Sequence, residues 1–139
     1  MEKCKADNLL KTTNTVKTEA REEILRVMLD SERPLTANDL HLRVKELGID
    51  LATVYRALKL FTEKGLVRPV NADGSHIFYE KACEHNPPHP HFFCSECGKL
   101  ECMPPYGFEE TLCFTKMAKN RDISSVELII KGRCVECAK

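Results

Sequence analysis

The run DLATVYRALKLFTEKGLV, residues 50–67, encodes a helix with two unlike faces. Val54, Leu58 and Phe61 recur at steps of four and three, so they line one side and predict a buried stripe from about Leu51 to Lys64. Ala52, Arg56 and Lys59 fall on the opposite side, with Tyr55 at its margin. A helix offering those four residues outward suits a DNA major groove: arginine reaches phosphate or guanine, and tyrosine packs on a thymine methyl. The same spacing also describes an ordinary solvated face, so the flanking sequence has to decide.

Upstream, Ala20, Ile24, Val27 and Met28 recur at helical spacing between Glu19 and Leu29, and Pro34 stops that helix. Thr36 with Asp39 three residues on reads as a capping box opening a second helix, which Gly48 ends. Downstream of Gly65 the pattern turns to strand. Residues 66–70 and 76–80 flank Asn71-Ala72-Asp73-Gly74-Ser75, a loop of turn formers. Three helices and a hairpin predict a winged helix-turn-helix over residues 1–81. Lys17 and Arg21, at the start of its first helix, are expected to add phosphate contacts.

Residues 82–90 lack periodicity and contain Pro87, Pro88 and Pro90, which predicts a hinge. Residues 91–139 predict a small α/β domain: strands at His91–Cys94 and Lys99–Met103, a helix at Phe108–Asn120 and a strand at Val126–Lys131. The fold class is therefore α+β. Eight cysteines occur in the 139 residues, all but Cys4 at or beyond position 83. Cys94-Ser-Glu-Cys97 and Cys134-Val-Glu-Cys137 form two C-x-x-C pairs, the donor set of a closed, tetrahedral structural zinc, one per subunit. A redox C-x-x-C is the competing reading of each pair. Cys4 reads as a tail residue, Cys113 as helix packing, and His76 and His85 as bystanders.

Twenty-one basic side chains balance twenty-one acidic ones. Residues 1–81 hold 14 and 13, and residues 82–139 hold 7 and 8, so neither half attracts nucleic acid through bulk charge. No apolar run approaches a membrane span, and the first residues lack a secretory pattern; the expected location is the cytoplasm. A zinc deaminase would need His-x-Glu and Pro-Cys-x-x-Cys, and neither occurs. Four thiolates leave no position for a reacting water, which argues against a zinc hydrolase. A thiol oxidoreductase and a zinc-stapled protein-interaction module remain as rivals from other classes.

DLATVYRALKLFTEKGLV, the His89–Lys99 run HPHFFCSECGK, the terminal GRCVEC, TEAREEIL (18–25) and LTANDL (35–40) together resemble the ferric uptake regulator superfamily over nearly the whole chain. The resemblance implies a homodimeric, non-enzymatic repressor of double-stranded operator DNA, with neither a membrane nor a small organic substrate as partner. It also implies a second divalent metal between the domains that sets their orientation. For that sensing metal the family pattern matches His89, His91 and Glu80. Cys83, six residues before His89, resembles the thiol of zinc sensors, and Cys102 stands where an acidic ligand is usual, with Glu101 beside it. Pro34 replaces a histidine of the iron and peroxide sensors. Glu109 matches a ligand of a third site, whose partners are missing at Pro90 and Val126. Imidazole with thiolate suits zinc better than iron(II) or manganese. The expectation is a zinc site from Cys83, His89, His91 and either Glu80 or Cys102, as in the zinc uptake branch. Iron, manganese or peroxide response is the alternative.

Overall fold

A computed structural model describes residues 4–83, 85–105, 107 and 112–139; the side chains of Leu112 and Cys113 are outside that description. The chain divides into two compact units, Met1–Pro87 and Pro88–Lys139. Among the described residues no helix is long and apolar enough to cross a membrane.

The first unit contains α1 (Ala6–Thr12), α2 (Glu19–Asp30), β1 (Leu35–Thr36), α3 (Ala37–Val44) with a single 3-10 turn after it, α4 (Leu51–Glu63), β2 (Val67–Asn71) and β3 (Ile77–Lys81). Each main helix begins on a side-chain cap. Thr18 accepts from the Arg21 N–H, and Asp50 accepts from the Thr53 N–H at 2.8 Å. Thr36 and Asp39 exchange bonds of 3.1 and 3.0 Å, the reciprocal capping box that the sequence predicts. Gly48 and Gly65 close α3 and α4 at φ of 76° and 72°, where a side chain would be strained. Val54, Leu58 and Phe61 are buried as expected, joined by Ala57 and packed with Ile24, Leu25, Leu40 and Val44. The wing strands form a sheet of order β1-β3-β2, with Arg68 opposite Glu80 and Val70 opposite Phe78.

Two elements escape the sequence reading. Seven residues are too few for α1 to stand alone; burial of Ala6 and Leu10 against the core holds it. Two residues show no alternation, so β1 is defined only by its pairing with β3.

The second unit contains β4 (His91–Cys94), β5 (Leu100–Cys102), α5 (Leu112–Ala118) and β6 (Ile129–Gly132). β4 lies centrally, antiparallel to β5 and parallel to β6. The helix expected at Phe108–Asn120 is seen over its later part. Phe108, Glu109 and the Cys113 side chain fall outside the described residues.

Candidate metal centres and DNA-facing helix

The parallel register of β4 and β6 sets Cys94 beside Gly132 and carries the chain directly into Cys134. That pairing answers the 36-residue gap between the two C-x-x-C pairs: β5 and α5 are crossover, and both pairs end neighbouring strands. Gly98, at φ 75°, turns the first pair back so that its N–H reaches the Cys94 carbonyl at 2.9 Å. The four sulfurs lie within 4.8 Å of one another, and the Cys97 and Cys134 sulfurs stand 3.8 Å apart. Four bonds of roughly 2.3 Å to one zinc demand sulfur–sulfur edges of about 3.8 Å. The donors fit the ion.

Electrostatics agree. The N–H groups of Cys97 and Cys134 donate to the Cys94 sulfur at 3.5 and 3.3 Å, and these bonds lower its thiol to about 6. The Lys99 N–H pulls the Cys97 thiol down, but the Cys94 sulfur, desolvation and Cys134 outweigh it, and the thiol ends above its ordinary value. Cys134, followed by desolvation, pushes Cys137 far up. Crowded sulfurs therefore hold one another's protons until a cation neutralises them.

A second cluster stands on the other end of β4. His91 pairs directly with Cys102 across the β4–β5 ladder, and Phe92 pairs with Glu101. Side chains alternate along a strand, so Cys102 shares the His91 face and Glu101 points to the other. His89, two residues before His91, joins that face with its ring centroid 4.6 Å from the His91 ring. The nitrogen and sulfur donors of His89, His91 and Cys102 lie within 4.8 Å of one another. His91 is buried, whereas Cys102 is exposed.

In the first unit Glu80 is buried, and its Oε1 accepts from Nε and Nη2 of Arg68 at 3.1 and 3.0 Å. Arg68 also donates to the Asn86 carbonyl at 2.9 Å, and the Asn86 amide donates to Lys81. The early part of the expected hinge is thus fastened to the wing. Cys83 gathers with Cys4 and His85 inside 4.8 Å. Cys4 and His85, read from sequence as a tail residue and a bystander, gave no local signal because 79 positions separate Cys4 from Cys83. His76 bonds to Asp73 and Ser75 within the wing turn.

On α4 the residues Ala52, Tyr55, Arg56 and Lys59 are all exposed, as the stripe predicts. Arg56 rests on the Thr53 hydroxyl at 3.2 Å. Lys17 is held by Asp7 at 2.8 Å and Glu22 at 3.4 Å, while Arg21 donates to the Val16 carbonyl.

Comparison with known proteins places this architecture. The description of the ferric uptake regulator family matches residues 12–130. The chain belongs to the ferric uptake regulator family. A peroxide operon regulator of Bacillus subtilis is 32% identical over 133 residues, covering 94% of this chain and 89% of that protein. A ferric uptake regulation protein of Vibrio vulnificus is 30% identical over 117 residues, 82% of this chain and 77% of its own length. The crystal structure of the Vibrio cholerae ferric uptake regulator superposes with a TM-score of 0.77 at 27% identity, covering 92% of this chain and 98% of that one. The regulator is a metal-responsive transcriptional repressor and not an enzyme; the family binds operator DNA as a dimer.

Proposed function

We propose that this regulator responds to zinc, held by His89, His91 and Cys102 with Glu80 as the fourth donor. The observation that carries the reading is the shared face of two imidazoles and one thiolate on β4 and β5. That donor set favours zinc over the harder iron(II) and manganese ions. Glu80, buried and held through Oε1 by Arg68, is the carboxylate that the family pattern matches. Cys83 is the alternative fourth donor.

A metal held by these residues would tie elements on either side of residues 82–90, and so would couple occupancy to the arrangement of the dimer. Moving a population from 1:99 to 99:1 takes about 5.5 kcal/mol of differential binding. Two such sites per dimer, each coupled by roughly 1–3 kcal/mol, approach that value. Ala52, Tyr55, Arg56 and Lys59 then read the operator, and Lys17 and Arg21 would exchange present partners for phosphate. The zinc of the four-cysteine corner leaves that cluster at a formal −2, so it adds no attraction for DNA.

An iron- or peroxide-responsive reading is favoured by the oxygen donor Glu80 and by the likeness to the Bacillus subtilis peroxide operon regulator. The deciding experiment measures binding to a duplex selected from a random pool, at buffered free Zn²⁺, Mn²⁺ and Fe²⁺. Response at the lowest free Zn²⁺ is expected. Cys102→Ser should weaken it by more than the roughly 10–100-fold that losing a supporting hydrogen bond costs. A manganese or iron response untouched by Cys102→Ser refutes the assignment.

A further inference from the structure

Cys4 and Cys83 reach one place along two separately fixed paths. Cys4 lies two residues before the first residue of α1, whose Ala6 and Leu10 are buried in the core, and it packs against that core itself. Cys83 and His85 follow β3, where the Asn86 N–H bonds to the Cys83 carbonyl at 2.9 Å and Arg68 fastens Asn86. The two sulfurs and the imidazole nitrogen converge within 4.8 Å, with the Cys4 sulfur 3.2 Å from Nδ1 of His85. A zinc ion bound to one thiolate and one imidazole at ordinary lengths sets those atoms about 3.6 Å apart. A cysteine–histidine hydrogen bond accounts for one such contact; it does not account for a second thiol at the same point.

We propose that Cys4, Cys83 and His85 form a third metal site, in the N-terminal unit, for a soft d¹⁰ cation of the zinc class. Two thiolates and a neutral imidazole cancel the charge of one Zn²⁺, and the softness of the set disfavours manganese and iron(II). Binding releases the protons of both thiols, so uptake is weaker at low pH. Three protein donors leave a coordination position for water. His85 is exposed, which makes the ion exchangeable, unlike the one enclosed by four cysteines. The bound metal would pin the segment ahead of α1 to the segment behind β3. Apart from Cys83, named above only as the alternative fourth donor, the proposal uses none of the donors assigned to zinc sensing, and the Cys4 and His85 variants test it separately.

The test counts Zn²⁺ per protomer of the full chain by mass spectrometry after equilibration at graded free Zn²⁺. The wild type should take up about three ions, and Cys4→Ser and His85→Asn about two each, the lost one being the first removed by a mild chelator. Cobalt(II) loaded in place of zinc should lose part of its thiolate charge-transfer band in Cys4→Ser. In His85→Asn the same part of the band should return only at higher free cobalt(II), because both thiolates remain but the site is weakened. Equal stoichiometry in wild type and Cys4→Ser overturns the proposal. So does loss, in Cys4→Ser, of the same ion that a His89→Ala/His91→Ala double variant loses. If that double variant keeps every ion while Cys4→Ser and His85→Asn each lose one, this site stands and the sensing assignment falls. His85, exposed and outside the core, supplies a variant whose folding is not at risk if Cys4→Ser expresses poorly.

Discussion

The two units are held together by different physics. Residues 6–67 supply a continuous apolar cluster in which Leu10, Ile24, Leu25, Leu40, Val44, Val54 and Phe61 have no exposed surface. Among the described residues of Pro88–Lys139, the buried apolar side chains are Pro90, Phe93, Cys94, Leu100 and Cys134, and two of these belong to the four-cysteine cluster. A unit of this size cannot bury enough surface to be stable alone, and a metal clip is the usual remedy. The first unit is an oil drop with capped helices. The second is a small sheet whose rivet is a four-cysteine corner that fits zinc.

The sharpest way to break that contrast is to remove the rivet. Cys134→Ser should release the structural zinc and erase amide protection throughout Pro88–Lys139, leaving α2–α4 protected. Structural zinc contributes about 10–16 kcal/mol in small zinc-dependent peptides, far above the stability of a unit this small. Hydrogen exchange read by mass spectrometry checks it; persistent protection at β4 and β6 in the zinc-free variant would end the comparison.

The converse variant is Phe61→Ala, which should destabilise the first unit by about 3–5 kcal/mol because a cavity opens at a fully enclosed ring. Zinc content at the four-cysteine corner should be unchanged. Urea unfolding followed beside metal analysis separates the two effects, and zinc loss in Phe61→Ala would show that the units are not independent.

The smallest effect concerns one proton. While the four-cysteine corner is folded, the N–H groups of Cys97 and Cys134 favour the charged form of the Cys94 thiol and lower it to about 6, so protons compete for that sulfur only near and below that pH. A depressed folded-state value contributes stability above the unfolded thiol range and loses it as pH falls through about 6. Cys97 and Cys137 shift the other way, so they stay protonated where Cys94 is charged. Zinc release from the four-cysteine corner, followed from neutral to acid pH by a coloured chelator, should stay low above that value and rise as pH falls through it.

What the sequence disclosed follows the same division. Periodicity located α2, α3 and α4, because an apolar stripe is a local signal, and Thr36 marked the start of α3; the caps at Thr18 and Asp50 emerged only in the structure. The C-x-x-C pairs declared their chemistry but not how they meet; the β4–β6 register that unites them is a long-range fact. The donors proposed for sensing divide likewise. His89 and His91 share a face by alternation, which is readable, whereas the choice between Cys102 and Glu101 depends on the β4–β5 register. Cys4 carried no signal, since only the fold brings its neighbourhood to Cys83. The hinge expected over 82–90 was set by proline content, and the Arg68–Asn86 bond that secures its early part has no counterpart in any pattern of residues.

The pairing of His91 with Cys102 has an evolutionary consequence. Gain of one residue between Gly98 and Leu100 would slide β5 by a single step and set Glu101, not Cys102, opposite His91. The same corner would then offer an oxygen in place of a sulfur and pass from a thiophilic preference to a harder one. Descendants of one ancestor could in this way exchange the nutrient they monitor by an indel in a loop, with every ligating codon left intact.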